Sequence, residues 1–381
     1  MKFLKLFVCM TATVMLFTEC KKGNTVRDGI LSINDSYNSQ EVAFEDVATN
    51  IKIVPLISDE PIGSSTMVQC YGSTTVMRSN DLYSLYFFED GKMIAKLNKV
   101  GRGRGEYNGI SDFVYSPARK IVYVLASNKV LKYSVPEMEF IGSLELSTTL
   151  NIALHDDTTL ICRMTSPDQI PGIYFVNTES GQVCGKLKDI CGMSFLTNTD
   201  ISFYSPDHRI LSDGSSLNTI SEVSANIQEG EKMILKFNFG KEGLPAKFDS
   251  ITENTGMDFF MDLTQYLTDH RETVVTEISK AMVRNDTISF WYLSGITGPR
   301  HYCRIIGDQM VRYTGFKGTG LKGAIMPTSL TNQGQYVTVI DMLPETLYDD
   351  SGDRSEFTSQ LETAIRSQEF NNPVLVFYDI K

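Results

Sequence analysis

Histidine is scarce in this chain of 381 residues, and the common signatures of catalysis and cofactor binding are missing. The four histidines are His155, His208, His270 and His301, and none has the HExxH spacing of a zinc protease. The sequence also has no GxSxG elbow, no CxxC pair and no Walker-type loop. His301 and Cys303 alternate in one strand-like run, which is a weak arrangement for proton transfer. We therefore assign no catalytic residue, no metal ligand and no cofactor.

Positive charge is also in short supply. The chain carries 35 Lys and Arg against 46 Asp and Glu, a formal net charge of −11. Nucleic-acid binding needs a basic surface that neutralises phosphates, so this balance argues against a nucleic-acid partner. Hydrophobic residues make up 42% of the chain and charged residues 21%. That composition is typical of a folded protein with a substantial core.

Long hydrophobic runs are absent except at the N-terminus. Lys2 and Lys5 precede the uncharged stretch from Leu6 to Phe17, which is shorter than the roughly 20 residues of a membrane-spanning helix. Residues 1–19 are therefore predicted to be a signal peptide. Cys20 follows directly and resembles the cysteine of the bacterial lipoprotein box, which implies an acylated Cys20 that anchors the protein to a membrane. Glu19 departs from the small residue of that box, so cleavage without acylation and an uncleaved anchor remain alternatives.

Residues 20–50 contain few periodic apolar positions and several turn formers. We interpret them as a lipid-anchored tether that separates the folded domain from the membrane. The expected location is the cell envelope, with the protein exported as a periplasmic or outer-membrane lipoprotein. Lys21 and Lys22 do not indicate which membrane leaflet holds it.

Five cysteines remain after Cys9 and Cys20 are assigned to the N-terminal segment: Cys70, Cys162, Cys184, Cys191 and Cys303. An exported protein can form disulfides, and Cys184 and Cys191 are close enough in sequence to pair across a turn. The number is odd, however, and no spacing repeats. We therefore favour buried free thiols, with the Cys184–Cys191 disulfide as the alternative.

From residue 51 onward, short runs of β-branched and aromatic residues alternate with turn formers, which is typical of strands. The clearest runs are residues 82–87, 121–125, 159–162, 288–292 and 336–340. They recur at roughly 40 to 50 residues, the length of one four-stranded propeller blade. The sequence therefore predicts an all-β fold, a six-bladed β-propeller over residues 51–381.

Two segments interrupt the strand pattern, at about 255–270 and 353–369. Both have apolar residues at helical spacing, and Asp353 with Glu356 has the spacing of a capping box, so we predict two short helical insertions packed on the propeller. The chain ends in a strand-like run from Asn372 to Lys381. A ring of blades must close on itself, and residues 51–56 are the expected partner of that last strand.

The run Gly101-Arg102-Gly103-Arg104-Gly105-Glu106-Tyr107 resembles the Gly-Arg-x-Gly-x-Gly-Glu-Tyr signature of exported six-bladed, NHL-like lipoproteins of Gram-negative bacteria. Residues 53–56, 61–63, 110–113 and 372–376 add to the resemblance. It implies the propeller fold and the envelope location, but no catalytic residue. From the residues themselves, the glycine run is followed by a strand-like segment and not by a helix, which favours an interblade turn over a phosphate-binding loop.

Two classes of function remain open. The first is a binding or scaffold module for a peptide, glycan or protein partner, in which Arg102 and Arg104 contact the ligand and Trp291 stacks on it. The second is a secreted propeller lyase or hydrolase with a site in the central funnel, assembled from distant residues that leave no local motif. The absence of a recognisable catalytic set favours the first.

Overall fold

The computed structural model describes residues 26–27, 29–32, 39–63, 65, 67–165, 171–189, 209–213, 219–245, 248, 257–271, 273–284, 287–294, 300–307, 309–316, 327–331, 333–341 and 355–381. The first elements are β1 (Val26–Arg27), β2 (Ile30–Ser32), β3 (Ser39–Val42), helix α1 (Phe44–Val47) and β4 (Ala48–Pro55). The strands of the described chain form six sheets, which we number as blades 1 to 6 in chain order.

Blades 1 to 3 are regular four-stranded antiparallel sheets. Blade 1 contains β5 (Met67–Tyr71), β6 (Thr74–Arg78), β7 (Leu85–Glu89) and β8 (Lys92–Leu97). Blade 2 contains β9 (Asp112–Ser116), β10 (Ile121–Ala126), β11 (Lys129–Ser134) and β12 (Phe140–Glu145). Blade 3 contains β13 (Thr149–Asp156), β14 (Thr159–Thr165), β15 (Pro171–Asn177) and β16 (Val183–Asp189).

Blades 4 to 6 are each completed by strands from the N-terminal segment. Blade 4 contains β17 (Arg209–Asp213), β18 (Thr219–Val223) and β19 (Glu231–Asn238), with β2 and β1 beyond β19. Blade 5 contains β20 (Val275–Arg284), β21 (Thr287–Ser294), β22 (Arg300–Ile306) and β23 (Gln309–Phe316), with β3 beyond β23. Blade 6 contains β24 (Ser329–Leu330), β25 (Tyr336–Ile340) and β26 (Val374–Ile380), with β4 beyond β26.

The six-bladed propeller predicted from strand spacing is thus confirmed. Apolar clusters fill the junctions between neighbouring blades, where flat sheets pack face to face. Representative buried pairs are Phe87 and Phe113 between blades 1 and 2, Tyr123 and Leu160 between 2 and 3, Phe175 and Val223 between 3 and 4, Phe237 and Phe290 between 4 and 5, Tyr302 and Tyr336 between 5 and 6, and Leu375 and Met77 between 6 and 1. The ring is therefore closed by hydrophobic burial at each junction.

The expected closure between the two ends of the domain is also present. β26 pairs antiparallel with β4, with Val374 opposite Pro55, Leu375 opposite Val54 and Val376 opposite Ile53. Because β4 precedes blade 1 and β26 ends the chain, this pairing holds the first and last segments of the ring in one sheet. Pro55 and Pro373 lie at the edges of the paired region, where a missing backbone N–H does little harm.

The N-terminal segment differs from the tether expected over residues 20–50. β2 pairs in parallel with β19, and β3 pairs in parallel with β23. Leu31 and Phe44 are fully buried. The described residues between Val26 and Pro55 therefore lie along the outer edges of blades 4, 5 and 6 in turn. Sequence periodicity missed these strands because each is only two to four residues long.

Both helical insertions form, as α2 (Met257–Asp269) and α3 (Glu356–Arg366). The apolar face of α3 packs on blades 5 and 6, as expected, through Phe357, Leu361 and Ile365. Its N-cap is Ser355, whose Oγ accepts a hydrogen bond from Thr358 N at 3.1 Å, whereas Asp353 lies outside the described residues. Helix α2 instead buries Leu263 and Leu267 against its flanking segments.

Candidate functional site

The glycine run lies in the loop that connects β8 of blade 1 to β9 of blade 2. A bridge between Val100 and Tyr107 closes the base of the loop. Gly101 N donates to Tyr107 O at 2.9 Å, and Tyr107 N donates to Lys99 O at 3.0 Å. Within the loop, Gly103 N donates to Oε2 of Glu106 at 2.7 Å. The interblade turn expected from the sequence is confirmed.

Gly105 shows why this loop requires glycine. Its φ of +76° is a conformation that residues with a Cβ rarely adopt. A Cβ at this position would also lie 2.5 Å from the Cγ atom of the Phe140 ring. Tyr133 Oη donates to Gly105 O at 2.9 Å and fixes the backbone from the blade 2 side. The loop is consequently held against blade 2 through backbone and ring contacts.

Tyr107 connects this loop to a second one, residues 79–84, which joins β6 to β7. Tyr107 is buried, its Oη donates to Tyr83 O at 2.9 Å, and it accepts from Lys99 N at 3.2 Å. Burial raises the pKa of Tyr107, so the phenol remains a hydrogen-bond donor at neutral pH. The two loops therefore form one rigid unit at the junction of blades 1 and 2.

The 79–84 loop presents apolar side chains to solvent. Leu82 has a φ of +68° and yet 42% of its surface is exposed, and Tyr83 is 43% exposed. The conformation is held by Ile110 N, which donates to Leu82 O at 2.7 Å, and by Tyr83 N, which donates to Oδ1 of Asp81 at 2.9 Å. The Ser79 hydroxyl and the Tyr83 N–H lower the pKa of Asp81 by hydrogen bonding. Backbone strain of this kind clusters at functional sites, which makes this loop a candidate binding surface.

Arg102 and Arg104 are exposed in the glycine loop. Arg102 has no ion-pair or hydrogen-bond partner among the described residues, and the Arg104 guanidinium lies 5.9 Å from the centre of the Phe140 ring. Val100 is also exposed, at 49%. We call the exposed side chains of these two connected loops, Leu82, Tyr83, Val100, Arg102 and Arg104, the loop patch. The sequence singled out the two arginines but missed the three apolar members, because the apolar pattern of residues 82–87 predicts a strand that already includes Leu82 and Tyr83.

Trp291 does not belong to the loop patch. It lies on β21 of blade 5, half-buried, and its Nε1 donates to Pro327 O at 3.0 Å. Its ring centre is 5.5 Å from that of Tyr302. The indole therefore already has a hydrogen-bond acceptor and an aromatic neighbour at the junction of blades 5 and 6. The structure does not bring it together with Arg102 and Arg104.

The His301–Cys303 pair is poorly suited to nucleophilic chemistry. Cys303 is fully buried, and burial raises the pKa of its thiol far above the usual value. Burial, with a smaller contribution from the charge of Arg312, lowers the pKa of His301 to about 4. Since a nucleophilic cysteine needs an accessible thiolate, this environment disfavours it.

The remaining thiols fall into two environments. Cys70 and Cys162 are buried and free, like Cys303, which agrees with the interpretation as buried thiols. Cys184 is exposed and free. Cys191 and His208 lie outside the described residues. Within the described part of the chain, no group of three or more His, Cys, Asp or Glu side chains could hold a metal ion.

No helix in the described part of the chain is long and apolar enough to cross a membrane. The architecture is that of the six-bladed β-propellers, and the loop patch combines one loop within blade 1 with the loop between blades 1 and 2. A family model described as "6-bladed beta-propeller" (DUF5128) matches residues 21–291. The chain belongs to this family.

A solved structure shares the fold at low sequence identity. The chain is similar to a Bacteroides fragilis NCTC 9343 protein named "Putative exported protein", with a TM-score of 0.65 and 14% identity, over 92% of this chain and 99% of that one. It is also similar to a member of the DUF4221 family from Bacteroides vulgatus, with a TM-score of 0.49 and 10% identity, over 88% of this chain and 97% of that one. No sequence among curated proteins matches the chain.

Proposed function

We propose that this protein is an exported β-propeller, anchored to a membrane through acylated Cys20, that binds a protein or peptide partner at the loop patch. The signal-like N-terminus and the lipoprotein-type position of Cys20 support the location. The name of the Bacteroides fragilis protein of similar fold is consistent with export.

The observation that carries the binding proposal is the combination of exposed groups in the loop patch. Tyr and Arg are enriched at the centres of protein interfaces, because they combine large contact area with directed hydrogen bonds. Tyr83, Leu82 and Val100 offer apolar area, and Arg102 offers a guanidinium free to meet a carboxylate. The partner therefore carries acidic groups beside an apolar contact.

The loop patch is also preorganised. The Tyr107 phenol, the Tyr133 phenol and the Leu82 carbonyl are all engaged in hydrogen bonds that fix the two loops. Binding to a rigid surface costs less conformational entropy than ordering flexible loops. A rigid surface of this kind favours a specific partner, whereas flexible loops would adapt to several partners.

The test is a quantitative recovery of partners from native envelope extracts, with the anchored wild-type protein as bait. Two patch variants, Arg102→Glu/Arg104→Glu and Tyr83→Ser, are compared with Lys52→Glu, a charge reversal at an exposed position on β4. One protein should be recovered stoichiometrically by the wild type and by Lys52→Glu and lost from both patch variants. Equal recovery by all four baits would refute the loop patch as the binding surface.

A further inference from the structure

The outer edge of blade 4 is where the N-terminal segment joins the propeller. β1 and β2 lie beyond β19 at the edge of this sheet. Val26, in β1, is six residues from Cys20 in sequence. A chain spans at most about 3.6 Å per residue, so Cys20 lies within roughly 20 Å of this edge. A lipid attached to Cys20 therefore holds blade 4 close to the membrane surface.

The side chains on this edge suit a lipid surface. Lys236 pairs with Ile30 of β2, so the two share one face of the sheet. On the neighbouring strand β18, Thr219 pairs with Lys236 and Ser221 pairs with Met233. Because Thr219 and Ser221 are two residues apart, their side chains share one face, and Met233 therefore lies on the same face as Lys236. Ile30 is 41% exposed and Met233 is 50% exposed, and Lys236 is exposed as well. Lys232 is exposed as well, but it precedes Met233 in the strand and pairs with Glu222 of β18, so its side chain lies on the opposite face.

The charge of this face contrasts with the net charge of −11. Lys236 has no acidic partner among the described residues, and the nearby Glu231 is paired with Lys188 at 3.2 Å. A free lysine beside exposed apolar side chains suits a surface that contacts anionic lipids.

We propose that the outer part of blade 4, on the face that carries Ile30, Met233 and Lys236, contacts the anionic lipid headgroups of the membrane that holds the anchor. This inference rests on the acylation of Cys20 in the proposed function. Blade 1 is three blades from blade 4 in either direction around the ring, so it lies on the opposite side. The membrane-anchored propeller therefore stands on its edge, with the loop patch of blades 1 and 2 directed away from the bilayer.

The experiment measures how closely two positions approach the bilayer. Met233→Cys on blade 4 and Ile94→Cys on β8 of blade 1 have similar exposure, 50% and 46% for the native side chains. Each is made in the full, membrane-anchored chain with Cys184→Ser and Cys191→Ser, and labelled with a fluorophore. The proteins are reconstituted in vesicles of phosphatidylethanolamine and phosphatidylglycerol that carry a headgroup quencher, and thermal melts check that both variants are folded.

The expected result is a loss of fluorescence at position 233 and no loss at position 94. Replacing phosphatidylglycerol with phosphatidylcholine should reduce the loss at 233, because the anionic headgroups that attract Lys236 are removed. Equal loss at both positions, or loss at 94 only, overturns the orientation while leaving the anchor intact. An intact mass without an acyl group on Cys20 overturns the anchor and the orientation together.

Discussion

The side-chain amide of Asn50 donates a hydrogen bond of 2.8 Å to Oδ2 of Asp379. The two residues are 329 positions apart in sequence and lie on the paired strands β4 and β26 of blade 6. Arg284 of blade 5 donates to the other carboxylate oxygen. This polar cluster thus joins both ends of the ring to the neighbouring blade. Burial opposes ionisation of Asp379, but the hydrogen bonds from Asn50 and Arg284, with the charge of Arg284, lower its pKa overall.

A lowered pKa in the folded state makes the closure sensitive to acid. The ionised form of Asp379 stabilises the fold above the ordinary carboxyl pKa, and this contribution is lost as the pH falls through that value to the lower folded pKa. Asp379→Asn should be less stable at neutral pH and should lose less stability on acidification than the wild type. Urea denaturation at pH 7 and pH 3 measures this, with Asp59→Asn in an exposed loop as control. If the wild type and Asp379→Asn lose the same free energy of unfolding between pH 7 and pH 3, the prediction is wrong.

Truncation after Pro373 should abolish cooperative unfolding. It removes β26, which lies between β25 and β4 and contributes Val374, Leu375 and Val376 to the core. The control is Leu375→Ala, which should cost about 2–5 kcal/mol and leave a folded protein, against a typical total stability of about 5–15 kcal/mol. Calorimetry distinguishes the two. A sharp thermal transition in the truncated protein would show that the ring does not depend on β26.

The N-terminal segment should be required for stability. Phe44 is fully buried, with its ring centre 4.4 Å from that of Phe357 and 5.0 Å from that of Tyr378. Phe44→Ala should lower the free energy of unfolding by about 3–5 kcal/mol. Asp46→Ala, at an exposed position of the same short helix, serves as the control. If residues 20–50 acted only as a tether, both variants would unfold at the wild-type urea concentration.

His301 should also make stability depend on pH. Its ring is tilted against that of Tyr292 with ring centres 4.7 Å apart, and its pKa is lowered to about 4. The unfolded state binds a proton near pH 6.5 and the folded state does not, so stability is complete above that pH and is lost as the pH falls towards 4. The loss amounts to about 3 kcal/mol at the pKa shift stated. His301→Gln should make the free energy of unfolding less dependent on pH between pH 6.5 and 4. If the variant keeps the wild-type pH dependence in this range, His301 is not the residue responsible.

Gly105 offers a test of the interblade loop. Gly105→Ala places a Cβ against the Phe140 ring and forces an unfavourable φ. Gly230 has a similar φ of +73°, but no atom lies within 4 Å of the point that a Cβ would occupy there, so Gly230→Ala tests the backbone cost of a positive φ without a clash. Gly105→Ala should be the more destabilising of the two in chemical denaturation. Equal effects would mean that the loop shifts freely away from Phe140.

The fold was largely predictable because strand and turn signals are local. The run from Tyr336 to Ile340 coincides with β25, and the Asp90-Gly91 pair forms the turn between β7 and β8, with φ of +47° and +80°. Such patterns follow from β-branched residues, alternation and turn chemistry within a few residues. The loop patch was only half predictable, because the exposure of Leu82 and Tyr83 depends on the contact with Tyr107 and Ile110, far along the chain.

The sequence alone determined the repeated strands, the six-fold repetition, the two helical insertions and the need for the chain ends to meet, since each depends on residue type and spacing. Tertiary structure alone decided that the described residues between 26 and 55 follow the outer edges of three blades, that Trp291 packs between blades 5 and 6, and that Tyr107 connects the glycine loop to the loop of Leu82 and Tyr83. The physical reason is that a strand of two or three residues is stabilised by the sheet that it joins and not by its own sequence. In the same way, the exposure of a side chain depends on neighbours that are distant in sequence.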